Sequence, residues 1–465
     1  MLKSIMGRSG VKKLGEGGVG CVVKPPPFLC EPIKDGVSPN KNTNMVQKAA
    51  SSVDVEKELG NNAMIDRLDG EFHHHVKILG TCKPDSSNVT SLKSKCNVLS
   101  KLEAGTDISV ITQAFGGTIL TELRIDEINA VFLHKFIDTF EFIVTKMNSL
   151  KICHGDLKND NLVWDGKYVR MIDLGSMFMA DIASGTIQRY WPIEMRLVFH
   201  DKEYISNHTG GVTKLLSEAI DRNERVERVF EGNNQNVVLQ NVVLNAVDNV
   251  KEIIKSGPGP GPISDLFLPS GWRETESARG YTAEYLNPIF LDQYNTLLDL
   301  IRKSARIIIL DDSDLDRLKK WCSKIDDMII YITSALGEVR SDMDWYQIQK
   351  TIYGNVDIYC MSTIMVNLIV KCSSLSNDQK RECIWALFEN GLNPNTFERD
   401  GANLCTTLRS KIPLDIPVTK PSGFSLSQKR VVPVFKGGHS KTRKRRIIRR
   451  TAKKRKRTNK LLSRA

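Results

Sequence analysis

The sequence predicts an α+β chain, in which a small strand-rich amino-terminal part with one helix precedes a larger, mainly helical part. Three observations carry that expectation. Residues 1–110 read as short strand-forming runs broken by Gly and Pro, with one helical stretch near residues 53–68. Between residues 126 and 150 the apolar side chains recur at helical spacing. A second run of alternating three- and four-residue spacing lies at residues 315–336.

Taken in order, Ile128, Val131, Phe132, Ile137, Phe140, Ile143, Val144, Met147 and Leu150 form one face of a long buried helix. A hairpin follows, because the runs LVW and YVRMI flank Asp165-Gly166, a dipeptide that supplies the positive φ angles of a tight turn. The Gly-Pro run at 257–262 excludes helix and central strand and reads as an exposed linker. Leu315, Leu318, Cys322, Ile325, Ile329, Ile332 and Leu336 then line an amphipathic helix of about seven turns, with Ser313 placed to cap its start. That helix either packs on the main domain or pairs with a partner helix.

With 465 residues, 41% hydrophobic and 26% charged, the chain has neither a disordered nor a membrane composition. The net charge of +12 is local: residues 441–465 hold 14 Lys/Arg and no acid, and the rest carries a net −2. Residues 1–10 have no apolar signal core, and the longest apolar stretch, 356–370, contains Asp357 and Asn367 and is too short for a span. The expectation is a soluble intracellular protein with no membrane role. Ten cysteines without a C-x-x-C pair are expected to be reduced and mostly buried. His73-His74-His75 is not expected to bind metal, because adjacent side chains on a strand point to opposite faces.

The strongest chemical signal is His154-Gly155-Asp156-Leu157-Lys158-Asn159-Asp160-Asn161, followed across the hairpin by Asp173-Leu174-Gly175. Phosphoryl transfer needs a carboxylate at the attacking hydroxyl, a cation on the γ-phosphate and oxygen ligands for Mg²⁺. Asp156 fits the first role and Lys158 the second, while Asn161 and Asp173 offer hard oxygen ligands. The hairpin returns Asp173 to the side of Asn161.

These residues resemble the eukaryotic-type protein kinase family, with its H-R-D-x-x-x-x-N catalytic loop and D-F-G metal motif. The resemblance implies a two-lobed kinase fold that transfers the γ-phosphoryl group of ATP to Ser or Thr of a protein substrate. Lys158, two residues after Asp156, is similar to the Ser/Thr class. Leu14-Gly15-Glu16-Gly17-Gly18-Val19-Gly20-Cys21-Val22 has the form of the family's glycine-rich loop. There Gly15, Gly17 and Gly20 would admit phosphates and Val22 would cover adenine. Met45-Val46-Gln47-Lys48 resembles V-A-I-K, which makes Lys48 the candidate for the α- and β-phosphates, with Lys41 as rival. Glu58 is its expected partner, ahead of Glu56. Adenine would meet backbone groups near Ala114 and Phe115. Tyr190-Trp191-Pro192-Ile193-Glu194 resembles the A-P-E segment, with Arg399 a candidate partner for Glu194. Asp357 would brace the catalytic loop.

The resemblance covers about 1–200 and 350–410, and the sequence departs from it in four ways. Gly155 replaces the Arg that reads an activation-loop phosphate, which implies activity without loop phosphorylation. Leu174 replaces Phe, a long stretch separates Glu194 from Asp357, and the match around Lys48 is poor. The implied division is 1–118 for the small lobe, 119–200 for the catalytic part of the large lobe, 201–350 for an insertion, 351–432 for the remaining large lobe and 433–465 for a basic tail. The G-C-V-V-K-P-P-P, G-G-T, Y-W-P-x-E and V-D-I-Y-C-M-S segments are similar to the serine/threonine kinases encoded by nucleocytoplasmic large DNA viruses. That likeness implies host cytoplasm, nucleus or virion as the compartment. Residues 441–465 would attract nucleic acid nonspecifically or an acidic partner, without stacking aromatics to read sequence. The alternatives are a pseudokinase scaffold or a nucleic-acid-bound virion component.

Overall fold

The computed structural model describes residues 12–16, 20–24, 45–84, 86–180, 188–195, 211–227, 235–255, 283–338 and 342–414. All of them lie in the unit Met1–Ile416, one of the two into which the chain divides. The architecture is mixed α+β, with antiparallel sheet at the amino end and a mainly helical remainder. Gly17, Lys41, the Gly-Pro run and the basic tail lie outside the described residues.

Five strands, β1 (Lys12–Glu16), β2 (Gly20–Lys24), β3 (Met45–Ser51), β4 (Ile78–Cys82) and β5 (Ile108–Ala114), form an antiparallel sheet in the order β1-β2-β3-β5-β4. β3 is central and covered on both faces. Alternation puts Lys48 and Ala50 on one face and Ala49 on the other. Ala50 packs with Val55 of α1 (Ser52–Leu68) and with Ile111. Ala49 packs with Leu92 of α2 (Ser86–Lys95) and Leu99 of α3 (Asn97–Ser100). The expectation of one helix before residue 110 thus gives way to three, since α2 and α3 are polar and short.

The cysteine expectation is corrected on this face. Cys21 and Cys96 form a disulfide with Cα atoms 6.1 Å apart. α3 packs onto β2 and so meets a residue 75 positions earlier, a proximity no local pattern encodes. Cys153, Cys322, Cys360, Cys372, Cys383 and Cys405 are free and buried.

The predicted long helix is shorter than its periodicity. Ile125–Glu127 is a 3-10 turn, α4 is Ala130–Phe142, and a π turn, Ile143–Met147, follows. Asn129 sets the start by accepting the Phe132 N–H at 3.1 Å. Phe132, Phe136 and Phe140 are buried, each contributing about 1.5–3 kcal/mol. Val131 and Leu150, expected on that buried face, are exposed. Further on come the short strands β6 (Thr118–Ile119), β7 (Ile152–Cys153), β8 (Leu162–Trp164), β9 (Val169–Met171) and β10 (Phe178–Met179). The β8–β9 turn uses its dipeptide differently from expectation. Gly166 alone takes a positive φ, +94°. Asp165 instead accepts the Lys167 and Tyr168 N–H groups at 2.8 and 2.7 Å.

Between residues 211 and 354 the chain forms α5 (Gly211–Glu227), α6 (Gln235–Lys255), α7 (Ala283–Ile308), α8 (Asp312–Glu338) and α9 (Asp342–Gly354), the last crossing the expected boundary at 350. In α8 Leu315, Leu318, Cys322, Ile325 and Ile329 join the main core, so of the two alternatives this helix packs on its own chain. Its start is capped by Asp311, which accepts the Asp314 N–H at 3.0 Å, and not by Ser313. α10 (Val356–Lys371) runs through the core, and α11 (Asn377–Ala386) and α12 (Gly401–Lys411) close the described chain. Among the described residues no helix is long and apolar enough to cross a membrane.

Candidate active site

Lys48 is the centre of one cluster. It projects from the α1 side of β3, paired in register with Val22 and Ile111. Its Nζ donates to Glu58 Oε2 at 2.7 Å and to Asp173 Oδ1 at 2.6 Å. Glu58 is buried while Glu56 is exposed, because two residues along a helix are about 200° apart, on opposite faces. Burial works against charge on Lys48, but the carboxylates of Asp173 and Glu58 outweigh it and hold its pKa above the ordinary lysine range. Burial likewise pushes Glu58 up, opposed by Lys48 and aided by Asp173. For Asp173 burial raises the pKa, but the Lys48 ammonium more than reverses that and holds it low.

The second cluster is the loop after β7. Asp156 receives Lys158 Nζ at 3.0 and 3.2 Å, and Asn161 Nδ2 donates to the Asp156 carboxylate at 2.7 Å and carbonyl at 2.8 Å. Asn161 therefore keeps Oδ1 for a cation. The Ile172 N–H donates to Asn161 O at 3.0 Å, which brings Asp173 beside the loop as the hairpin expectation requires. Asp173 sits in the left-handed region, φ +59°. Asn161 and Asp173 fit a magnesium held partly by phosphate oxygens, since that ion takes one or two protein oxygens and fills its shell from substrate and water. No group of three or more His, Cys, Asp or Glu among the described residues is placed to hold a metal.

Buried polar groups fix the loop from below. Asp357, fully buried on α10, accepts the His154 N–H at 2.6 Å and the Gly155 N–H at 3.2 Å. Burial raises its pKa against the pull of those partners. His154 Nε2 donates to Ile172 O at 3.2 Å, and its Nδ1 accepts the Asp156 N–H at 3.3 Å. Glu194 and Arg399 form an ion pair at 2.5 Å with both side chains fully buried.

Gly15 and Gly20 lie in β1 and β2, and a Cβ on Gly20 would meet the Ala49 carbonyl oxygen at 2.7 Å. Val22 is half-buried beside Lys48. Ala114 ends β5, where its N–H donates to Lys77 O at 3.3 Å, and Phe115 is partly exposed. Sequence reasoning missed Asn61, whose Nδ2 donates to Leu174 O at 2.6 Å. Its signal was available, as Asn61 lies three residues after Glu58 on the same helix face. Trp191, whose Nε1 donates to Gly155 O at 3.1 Å, was read only as part of a segment.

No protein-family model matches this chain, and no curated protein matches it either.

Proposed function

We propose that this chain is a two-lobed, ATP-dependent serine/threonine protein kinase resembling those encoded by nucleocytoplasmic large DNA viruses. The observation that carries the reading is Lys48 Nζ held between Glu58 and Asp173, with the Asp156, Lys158 and Asn161 cluster tied to the same segment as Asp173 by the Ile172 N–H on Asn161 O. A lysine so fixed would meet the α- and β-phosphates of ATP. Asp156 would take the proton of a substrate hydroxyl as its oxygen attacks the γ-phosphorus and the bond to the β-phosphate oxygen breaks, leaving ADP. Lys158 would offset charge on the moving phosphoryl group. Magnesium, held by Asn161 and Asp173, would neutralise the β- and γ-oxygens.

A pseudokinase scaffold has no need of Asp156, Asn161 and Asp173 together, and this weighs against it. The test is phosphate transfer from radiolabelled Mg-ATP to a generic basic protein and to the chain itself, wild type against Asp156→Asn. Labelling on Ser/Thr falls about 10²–10⁴-fold in the variant on this reading. A folded wild type that binds ATP and labels nothing sinks it in favour of the scaffold.

A further inference from the structure

The candidate catalytic loop lacks the arginine that would read a phosphate, and the space is not available for one. Gly155 has φ +74°, and a Cβ there would lie 2.7 Å from Phe178 Cε1 and 2.8 Å from Ser176 O. What stands against the loop instead is Trp191, 1% exposed, its Nε1 on the Gly155 carbonyl at 3.1 Å. Phe178 and Tyr353 enclose that indole, with ring centroids 5.9 and 6.4 Å from it. The residues before Trp191 are tied to α7, inside the stretch that has no counterpart in the resemblance. Gln293 Nε2 donates to Gln188 O at 3.1 Å, and Asp292 meets Arg189 at 3.0 Å. Tyr190, between these ties and Trp191, places its ring 5.7 Å from Lys158 Nζ.

The Arg189–Asp292 pair is exposed and contributes little. Gln293 is different: it is 1% exposed, and its Oε1 has no hydrogen-bond partner among the described residues. A half-satisfied buried amide does little for stability: an apolar replacement frees the Gln188 carbonyl but also removes the unpartnered Oε1, and the two changes offset each other. Its one directed bond goes to the segment that leads to Lys158.

We propose that α7 is a built-in activator, with Gln293 a positioning residue that fixes Gln188–Trp191 against the catalytic loop, so that phosphate transfer needs no prior phosphorylation of the chain. This rests on the kinase reading. The test compares full-length wild type, wild type stripped by a broad phosphatase that is then removed, and Gln293→Leu. Initial rates are measured on a peptide substrate beside ATP affinity and thermal midpoint. Stripped wild type should start at the untreated rate. Gln293→Leu should lose about tenfold in kcat with ATP affinity and midpoint unchanged, the loss of one buried hydrogen bond from the productive conformation. Should Gln293→Leu not fold, Gln293→Met, of equal length and without a donor, takes its place. A stripped wild type that is silent until rephosphorylated overturns the proposal, as does a donor-free variant with the wild-type rate. Wild type that binds Mg-ATP yet transfers nothing in either form overturns the kinase reading, and the activator with it.

Discussion

Replacing Lys48 by Met removes the cation that Glu58 and Asp173 share. Glu58 and Lys48 side chains are 5% and 7% exposed, while Asp173 is 31% exposed on its open side. Removing one partner of a buried pair costs about 3–5 kcal/mol, because the charge left behind keeps its desolvation penalty. Two features place this case at the lower end, about 3 kcal/mol. Solvent screens Asp173, and Glu58, already pushed up by burial, takes a proton more readily once Lys48 is gone. The pH dependence follows from that second feature. A carboxyl whose folded pKa is raised binds its proton more tightly in the native state, so the variant regains stability as pH falls from 7.5 towards the ordinary 4.5 of Glu58. Asp173 is held low by Lys48 in the wild type, where its contribution is full above its ordinary 3.8; in the variant burial is left to push it up, in the same direction as Glu58. Urea unfolding at pH 7.5 and 5.5 measures both effects. With m above about 3 kcal/mol/M for so long a chain, the midpoint of Lys48→Met should fall by up to about 1 M at pH 7.5, and by less at 5.5. Equal midpoints for Lys48→Met and wild type at pH 7.5, or the same deficit at both pH values, would refute the reasoning.

Gly155→Ala combines a positive φ with contact on Phe178 and the Ser176 carbonyl, so it should lose about 3 kcal/mol; a thermal midpoint equal to wild type would contradict the packing described. Asp357→Asn leaves one of two loop N–H groups facing another donor and should cost about 2 kcal/mol, read by urea unfolding. Cys96→Ser should lower stability by about 2–4 kcal/mol under non-reducing conditions, and peptide mapping should recover Cys21 joined to Cys96 in the wild type. Deleting 436–465 should abolish salt-sensitive DNA binding and leave phosphate transfer intact; binding that survives the deletion places the nucleic-acid contact elsewhere.

What the sequence makes legible is what lies within a few turns of itself. The proximity of Asn161 and Asp173 can be read because both flank one hairpin, and the choice of Glu58 over Glu56 because helix geometry admits one of them to the Lys48 side. Hydrophobic spacing finds α4 and α8 but misplaces their starts, since Asn129 and Asp311 set those through single side-chain caps that periodicity does not see. α2, α3, α5, α6, α7, α9, α11 and α12 are missed. α6 buries Val242, Val243, Ala246, Val247 and Val250, a wide β-branched stripe that suits strand and helix equally until its neighbours are known. The Cys21–Cys96 pair and the Gln293–Gln188 bond, 75 and 105 residues apart in sequence, have no local signature at all.

α1 shows why polar residues matter more than hydropathy to this site. The residues that recur at three and four along one face are Glu58, Asn61, Asn62, Ile65, Asp66 and Asp69. Glu58 reaches Lys48, Asn61 the Leu174 carbonyl, and Asn62 the Val76 carbonyl at 3.5 Å. Asp66 and Asp69 hold the two ring nitrogens of the buried His75 at 2.6 and 2.7 Å, and Asp69 also accepts the N–H groups of His73, His74 and His75. The 73–76 segment in turn pairs with Met171 on β9, two residues before Asp173. Asp173 is therefore fixed to the same helix face three times, through Lys48, through Leu174 and through the backbone leading to Met171. A rotation of α1 by one residue, about 100°, would break all three together. The three histidines, unpromising as metal ligands, thus have a physical reason to be where they are: they carry the end of the helix to the hairpin that presents Asp173.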